Sequence, residues 1–148
     1  MTYVVVALLR RKEGLSPSQF RTYYDTVHLP LLKSLVGSTA PLIHTRHYVS
    51  HEAATALGSS ESIATLGSMA ASGKEFHPTI MYQGSPSDVS FDSLTVMTWA
   101  DKESWESFLK IFQSKVVAEK IDEDEENFLD RARKVVFSVA TSTTTMRE

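Results

Sequence analysis

The chain has 148 residues, no cysteine and a formal net charge of −3 at pH 7, with 42% apolar and 22% charged residues. A chain of this size fits one soluble globular domain and buries enough surface to fold without a disulfide or metal staple. The missing cysteines exclude thiol catalysis, and the absence of a basic stripe argues against a nucleic-acid partner.

The first predicted element is a β-strand over residues 3–10. Its apolar run, YVVVALL, is followed by the basic residues rather than preceded by them. This order is the reverse of a secretory signal, and a membrane-spanning helix needs about 20 apolar residues. We therefore expect a buried strand in a cytoplasmic protein without a membrane partner.

A helix is predicted to begin after Ser16. Ser16 can act as N-cap, with Pro17 in the first helical position and Gln19 closing a capping box. Pro30 lacks an N–H and disfavours the helical conformation of the residue before it, so the helix must bend or end near His28. One face of this helix carries a predicted apolar stripe, which comprises Phe20, Tyr24, Val27, Leu31 and Leu35.

The remaining elements complete a βαβ, insertion, βαβ order. Strands are predicted in PLIHTRHYVSH, FDSLTVMTWA and KVVFSVATSTTT, and an amphipathic helix with Asp101 as N-cap precedes a polar helix and the last strand. Residues 52–88 have small residues and no sustained period, which is typical of a lid or pocket edge.

This order predicts an α+β, ferredoxin-like fold with a four-stranded antiparallel sheet and its helices on one face. The other face of such a sheet is left bare. We expect apolar side chains on it, covered by a second copy of the chain or by the insertion.

Four of the five histidines lie within residues 28–51. His44, His47 and His51 are spaced as H-x2-H-x3-H, which on a helix would place them on one face. Because successive side chains of a strand point to opposite faces, His44 and His47 cannot converge on a metal there. Cysteine ligands are missing, and no carboxylate with obvious ligand spacing is near, so we predict no metal site.

Alternation along this strand sorts its side chains into two sets. The polar set is expected to line a pocket, because each member would need a hydrogen-bond partner if buried; it comprises His44, Arg46, Tyr48 and Ser50. The other set is expected under the helices, and it comprises Thr45, His47 and Val49. There His47 is either a core histidine bonded to a carbonyl or a substrate contact.

His28 has two interpretations. It is a helix-end histidine that interacts with the terminal carbonyls, or it is a general acid or base, helped by Tyr24 one turn earlier. The neighbours Tyr23, Asp25 and Lys33 are interpreted as surface residues.

The acidic segment EKIDEDEENFLD is interpreted as a solvated helix face. Asp122 and Asp130 are its members that could reach a site or pair with Arg131 or Arg133.

Three segments together resemble the EthD-domain family, in the form found in fungal secondary-metabolite clusters. They are RRKEGLSPSQFRTYYDTVHLPLLKSL, PLIHTRHYV and EDEENFLDR. The resemblance covers nearly the whole chain and implies one EthD-like domain over residues 1–148, with 52–88 as its insertion. That family belongs to the dimeric α+β barrel superfamily, which implies a homodimer whose two sheets close into a barrel and an apolar pocket between the sheet and helices of each monomer.

Related proteins act on aromatic polyketides and similar small molecules without metal, flavin or nicotinamide, so the resemblance implies no cofactor. The histidines of its motifs fall on His28, His44 and His47, with Arg46 and Tyr48 beside them. Its reactions include decarboxylation, dehydration, cyclisation, isomerisation and anthrone-type oxygenation, and the resemblance selects none of these.

We predict a cofactor-independent lyase, a decarboxylase or dehydratase, that acts on a phenolic or polyketide-like compound. His28 would transfer the proton, with Tyr24 or Tyr48 orienting it. Arg46 and His44 would hold the carboxylate or the developing oxyanion. The predicted pocket wall and lid comprise Phe20, Val96, Trp99, Phe76 and Tyr82.

Three alternatives stay open. A cyclase or isomerase, including one for pericyclic chemistry, would lose little rate with any single histidine. An anthrone-type oxygenase would consume oxygen. A non-catalytic small-molecule binding protein would gain thermal stability from a ligand without forming product.

Overall fold

The computed structural model describes residues 1–53 and 77–148. Within them the four strands form one antiparallel sheet in the order β2-β3-β1-β4, which confirms the predicted α+β, ferredoxin-like fold. The elements, in chain order, are β1 (Tyr3–Leu9), α1 (Pro17–Tyr23), a π-helical turn (Tyr24–His28), α2 (Leu29–Val36), β2 (Ile43–Tyr48), β3 (Ser93–Trp99), α3 (Lys102–Phe112), α4 (Lys115–Glu125) and β4 (Val135–Val139).

The start of α1 is confirmed in detail. The Ser16 hydroxyl accepts from the Gln19 N–H at 3.1 Å, and the Gln19 side chain accepts from the Ser16 N–H at 2.9 Å. Two of the N–H groups that a helix leaves unsatisfied at its start are therefore bonded. This box sets the direction of the helix that carries Tyr24 and His28.

The helix does not end at Pro30 but widens into a π-helical turn just before it. The N–H of Leu29 donates to the carbonyl of Tyr24, five residues back, and Pro30 has no N–H to donate. A π-turn contains about one residue more than an α-turn. The residues of α2 that face the protein interior are therefore shifted by one position along the sequence. Leu32 and Val36 are buried where Leu31 and Leu35 were predicted.

The same rotation changes which residue the turn buries. Val27, predicted in the apolar stripe, is 43% exposed, whereas His28 is buried. The π-turn thus places an imidazole, and not a valine, in the protein interior.

The helices pack on one face of the sheet in two apolar clusters. One surrounds Trp99 and Phe108, between β1, β3 and the helices α2, α3 and α4. The other surrounds Phe20, Tyr24 and Phe128, under α1 and the segment that follows α4. The polar residues of interest lie beside this second cluster.

Alternation in β2 is confirmed, but the predicted placement of its second set is wrong. His44, Arg46 and Tyr48 point toward the helices, and His47 lies exposed on the opposite face, opposite Leu94 of β3. We expected His47 beneath the helices because buried faces are usually apolar. Here the buried half of the edge strand is polar, since its side chains find partners on the helices.

The face of the sheet away from the helices is apolar, as predicted for a bare face. Ile43, Val135 and Phe137 expose 58%, 49% and 46% of their surface there. Val96 pairs with Thr45 and Val6 and lies on this same face. We call this surface the outer face.

None of the helices in the described part of the chain is long and apolar enough to span a bilayer.

Candidate active site

Polar side chains line the contact between edge strand β2 and the helical segment beside it. His44, Arg46 and Tyr48 project from the strand, and they meet Tyr24 and Asp25 of the π-turn. We call these residues, together with His28, the polar row. Within residues 1–53 and 77–148, β2 is an edge strand of the sheet, so the polar row lies along that edge.

His28 is held by a carboxylate from a distant part of the chain. Its Nδ1 lies 2.8 Å from Asp124 Oδ2, and the two side chains are only 8% and 10% exposed. A carboxylate accepts only, so this bond requires the proton of His28 on Nδ1 and leaves Nε2 as the basic nitrogen. The arrangement is suited to proton transfer through Nε2.

Asp124 is itself positioned by two further side chains. The Tyr23 hydroxyl donates to Asp124 Oδ1 at 2.6 Å, and Asn127 Nδ2 donates to the Tyr23 oxygen at 3.1 Å. Burial, and then the bond to Asp124, raise the pKa of Tyr23. Tyr23 therefore remains a donor that helps to fix the carboxylate.

Tyr24 does not orient His28 through its hydroxyl, contrary to the prediction. Its ring meets the His28 ring edge-on at 5.7 Å, while its hydroxyl lies 3.1 Å from Thr95 Oγ1 and 3.4 Å from His44 Nε2. Burial raises the pKa of Tyr24 to about 12. Tyr24 is thus a neutral partner of His44, and Asp124 takes the orienting role.

His44 is neutral at pH 7. Burial, with the charges of Arg46, His28 and Lys33, lowers the pKa of His44 from 6.5 to about 4. His44 would therefore fill its predicted role, to hold a carboxylate or a developing oxyanion, as a neutral ring and not as a cation. A neutral ring can still donate one hydrogen bond.

This pKa has a consequence for stability. The unfolded chain binds a proton at His44 near pH 6.5 and the folded protein near pH 4, so protonation favours unfolding in this interval. The contribution of neutral His44 to the free energy of unfolding is complete above pH 6.5 and is lost as the pH falls to 4. We expect the free energy of unfolding, measured with urea, to fall less over this interval in His44→Gln than in wild type. The exposed control His47→Gln should follow wild type, and an equal fall in both variants would contradict the shift.

Arg46 already has a carboxylate partner within the protein. Its Nε donates to Asp25 Oδ1 at 2.8 Å, and the Tyr48 hydroxyl donates to the same oxygen at 2.5 Å. The guanidinium charge is thus partly balanced within the protein, and a substrate carboxylate or oxyanion, which Arg46 was predicted to hold, would compete with Asp25. Asp25, which we interpreted as a surface residue, is the residue that balances it.

A pocket of about 390 Å³ lies between α1 and the end of β2, just beyond Tyr48. Phe20 and Tyr48 form the wall that it shares with the polar row, and their rings meet edge-on at 6.1 Å. Both residues were predicted to contact substrate. Val49, Ser50 and His51 extend the lining along the chain.

The other predicted site residues do not join this arrangement. Trp99 is buried in the other apolar cluster and donates to the Thr39 carbonyl at 2.9 Å. His47 and Val96 lie on the outer face, and Tyr82 is fully exposed, so neither the predicted wall at Val96 nor the predicted lid at Tyr82 has a place here. Phe76 lies outside the described residues.

Asp124 is the residue that sequence reasoning missed. The signal was its spacing, because Ile121, Asp124 and Phe128 share one face at steps of three and four and are all buried. An acid between two apolar residues of a buried stripe needs a partner. The predicted pairings are found at the surface instead, where Asp122 lies 2.8 Å from Arg131 and Asp130 lies 3.6 Å from Arg133.

Residues 1–53 and 77–148 contain no group of three or more histidine, aspartate and glutamate side chains placed to hold a metal ion. His44 and His47 point to opposite faces of β2, as the alternation predicted.

Comparison with known proteins gives one family and several related folds. The EthD-domain model matches residues 12–132. Similar structures include an EthD-like protein from Ralstonia eutropha (15% identity, 99% of this chain and 95% of that chain, TM-score 0.50). An ethyl tert-butyl ether D (EthD) family protein from Bacillus halodurans is also similar (14%, 96% and 100%, 0.49), as is a dimeric ferredoxin-like protein from Thermobifida fusca (11%, 95% and 92%, 0.44). The search of curated proteins returned no match.

Proposed function

The chain belongs to the EthD-domain family, and we propose that it is an enzyme that moves a proton to or from carbon in a small aromatic or polyketide-like compound, as a step of natural-product biosynthesis. The observation that carries this proposal is the buried pair of His28 and Asp124, with Nδ1 held 2.8 Å from the carboxylate. A histidine fixed in one tautomer by a buried acid is a common arrangement for general acid–base catalysis.

The reaction that fits best is dehydration of a β-hydroxy carbonyl compound. Nε2 of His28 would take the proton from the carbon beside the carbonyl, and the electron pair of that C–H bond would form an enolate. The C–O bond to the β-hydroxyl then breaks, and His28 returns its proton to the leaving oxygen, so that one water is released and a conjugated double bond remains. The step needs no oxidant or reductant.

Neutral hydrogen-bond donors beside His28 support this chemistry. His44 is neutral at pH 7 because the pKa of its ring is about 4, and Tyr24 is neutral because the pKa of its phenol is about 12. Neutral donors in a water-poor site stabilise a developing enolate. We propose that His44 donates a hydrogen bond to the oxyanion. Tyr24 would hold the His44 ring in place, because its hydroxyl lies 3.4 Å from His44 Nε2.

Decarboxylation is less well supported than dehydration. A carboxylate that loses CO₂ must first be held by a donor or cation. Arg46, which we had assigned to this role, is already bound by Asp25. An isomerase would use the same proton abstraction without loss of water, and it is the second candidate, favoured by the same neutral donors.

The direct test offers the purified protein a panel of aromatic β-hydroxy ketones and aromatic β-keto acids, under air and under nitrogen. We expect a conjugated product that has lost water, detected by absorbance and mass spectrometry, at equal rates in both atmospheres. Loss of CO₂ would indicate a decarboxylase, an unchanged mass an isomerase or cyclase, and oxygen uptake an oxygenase. Ligand-induced thermal stabilisation without any product would contradict an enzymatic role.

We also propose that the chain forms a homodimer through its outer face. The apolar side chains that this face exposes, Ile43, Val135 and Phe137 among them, support an association of two sheets.

A further inference from the structure

The pocket at the end of the polar row has a lining that none of the functional assignments above explains. Its volume of about 390 Å³ is within the range of small-molecule sites, about 300–1,000 Å³. One part of the lining is apolar or aromatic, and it comprises Pro17, Phe20, Tyr48, Val49 and Ile80. This part suits the body of an aromatic compound.

The acid in the pocket is already neutralised. Arg11 donates to Asp92 twice, from its backbone N–H at 2.9 Å and from Nε at 3.0 Å. His51 Nε2 lies 3.1 Å from the same carboxylate, at an angle outside that of a hydrogen bond. Burial alone would raise the pKa of Asp92, but His51 and Arg11 together lower it. Asp92 is therefore a balanced charge and does not repel an anionic ligand.

The cation in the pocket has no such partner. Arg21 lines the pocket from the last turn of α1, and within residues 1–53 and 77–148 its guanidinium makes no ion pair or hydrogen bond. The polar groups near it, Ser18 and Ser50, carry no charge. The described part of the lining therefore offers an aromatic wall, the hydroxyls of Ser18 and Ser50, and the positive charge of the exposed Arg21 side chain.

We propose that this pocket binds an aromatic carboxylate, with the ring system against Phe20 and Tyr48 and the carboxylate on Arg21. The proposal rests on the proposed function, because it names the substrate class of the same enzyme. The carboxylate on Arg21 would serve for binding only and would not leave as CO₂. His28, the proton-transfer residue, does not line this pocket and would act on another part of the compound.

The test compares two probes of the same shape, 1-naphthoate and the neutral 1-naphthamide, titrated into ¹⁵N-labelled protein. We expect naphthoate to bind about fivefold or more tightly than the amide, which is the upper range for a partly exposed ion pair. The shifted amide signals should include those of Ser18, Val49 and Ser50.

Two variants and one control complete the test. Arg21→Gln should weaken naphthoate binding to that of the amide, and Ser50→Trp should fill the pocket and abolish binding of both. The control Arg147→Gln removes the same charge from the exposed C-terminal segment and should bind like wild type. Equal affinity for the two probes, no binding of either, or shifts confined to residues outside the pocket would each overturn the proposal.

This result is independent of the role of His28. The variant His28→Asn should still bind naphthoate, because His28 does not line the pocket. A failure to bind naphthoate would remove the substrate class while the turnover test of His28 stands.

Discussion

We expect the turnover rate of the His28→Asn variant to be about 10²–10⁴-fold lower than that of wild type, while the fold is kept. A rate factor of this size is the usual contribution of a general acid or base. Asparagine is close in size to histidine and can still donate to Asp124, which lies 2.8 Å from His28 Nδ1. It has no nitrogen that can accept and return a proton. The loss should therefore appear in kcat, measured on the compound that wild type converts.

Two comparisons separate chemistry from folding. His47→Asn makes the same exchange on the outer face and should leave turnover unchanged. Urea denaturation should show that His28→Asn loses far less stability than activity. Wild-type turnover by folded His28→Asn would end the assignment of His28 as the proton-transfer residue.

The positioning role of Asp124 has a spectroscopic test. Asp124→Asn can no longer favour one tautomer by charge, so ¹⁵N spectra of His28 should change from a single Nδ1–H form to a mixture. A loss of turnover of up to about 10⁴-fold should accompany this change, because the histidine is no longer held in the reactive tautomer. The matched control Asp122→Asn, on the exposed side of the same helix, should alter neither. An unchanged tautomer in Asp124→Asn would contradict the orienting role.

The local features of the fold could be predicted because they depend on few residues close in sequence. Ser16 and Gln19 form a capping box from their own spacing, and Pro30 disturbs the helix because it lacks an N–H. Alternation in β2 separates His44 from His47 for the same local reason. None of these requires knowledge of the rest of the chain.

The candidate site could be predicted only in part, because its decisive contacts join distant segments. His28 and Asp124 are 96 residues apart, and spacing within either segment does not indicate the other. Asp25 was interpreted as surface because its partners Arg46 and Tyr48 come from a different element. The π-turn had a further effect, since one additional residue moved Val27 outward and His28 inward.

The outer face explains why His47 was predicted on the wrong side of β2. Burial patterns assign apolar residues to the helix-covered side of a sheet, and for β2 that assignment placed His47 inside. In this protein both faces carry apolar residues, because β1 and β3 supply the core while Val135 and Phe137 of β4 face away from the helices. A face of this kind is expected where a second copy covers it.

The proposed dimerisation through the outer face predicts that Phe137→Glu converts a dimer into a monomer. Phe137 is 46% exposed in the single chain, and in a two-fold dimer it is replaced on both sides of the interface. The two half-exposed Phe137 side chains of the dimer together bury about as much surface as one phenylalanine, so their loss weakens association by about 1.5–3 kcal/mol. Burying two unpaired carboxylates in the interface weakens it further. We expect Kd to rise at least about a hundredfold.

Sedimentation velocity over a range of protein concentrations measures this change directly. The control Val116→Glu introduces the same charge at an apolar residue that is 63% exposed on α4, away from the sheet, and it should remain dimeric. A dimeric Phe137→Glu would show that the two copies meet elsewhere. A monomeric wild type at all concentrations would contradict dimerisation itself, because an apolar face of this size would then be left without the second copy proposed to cover it.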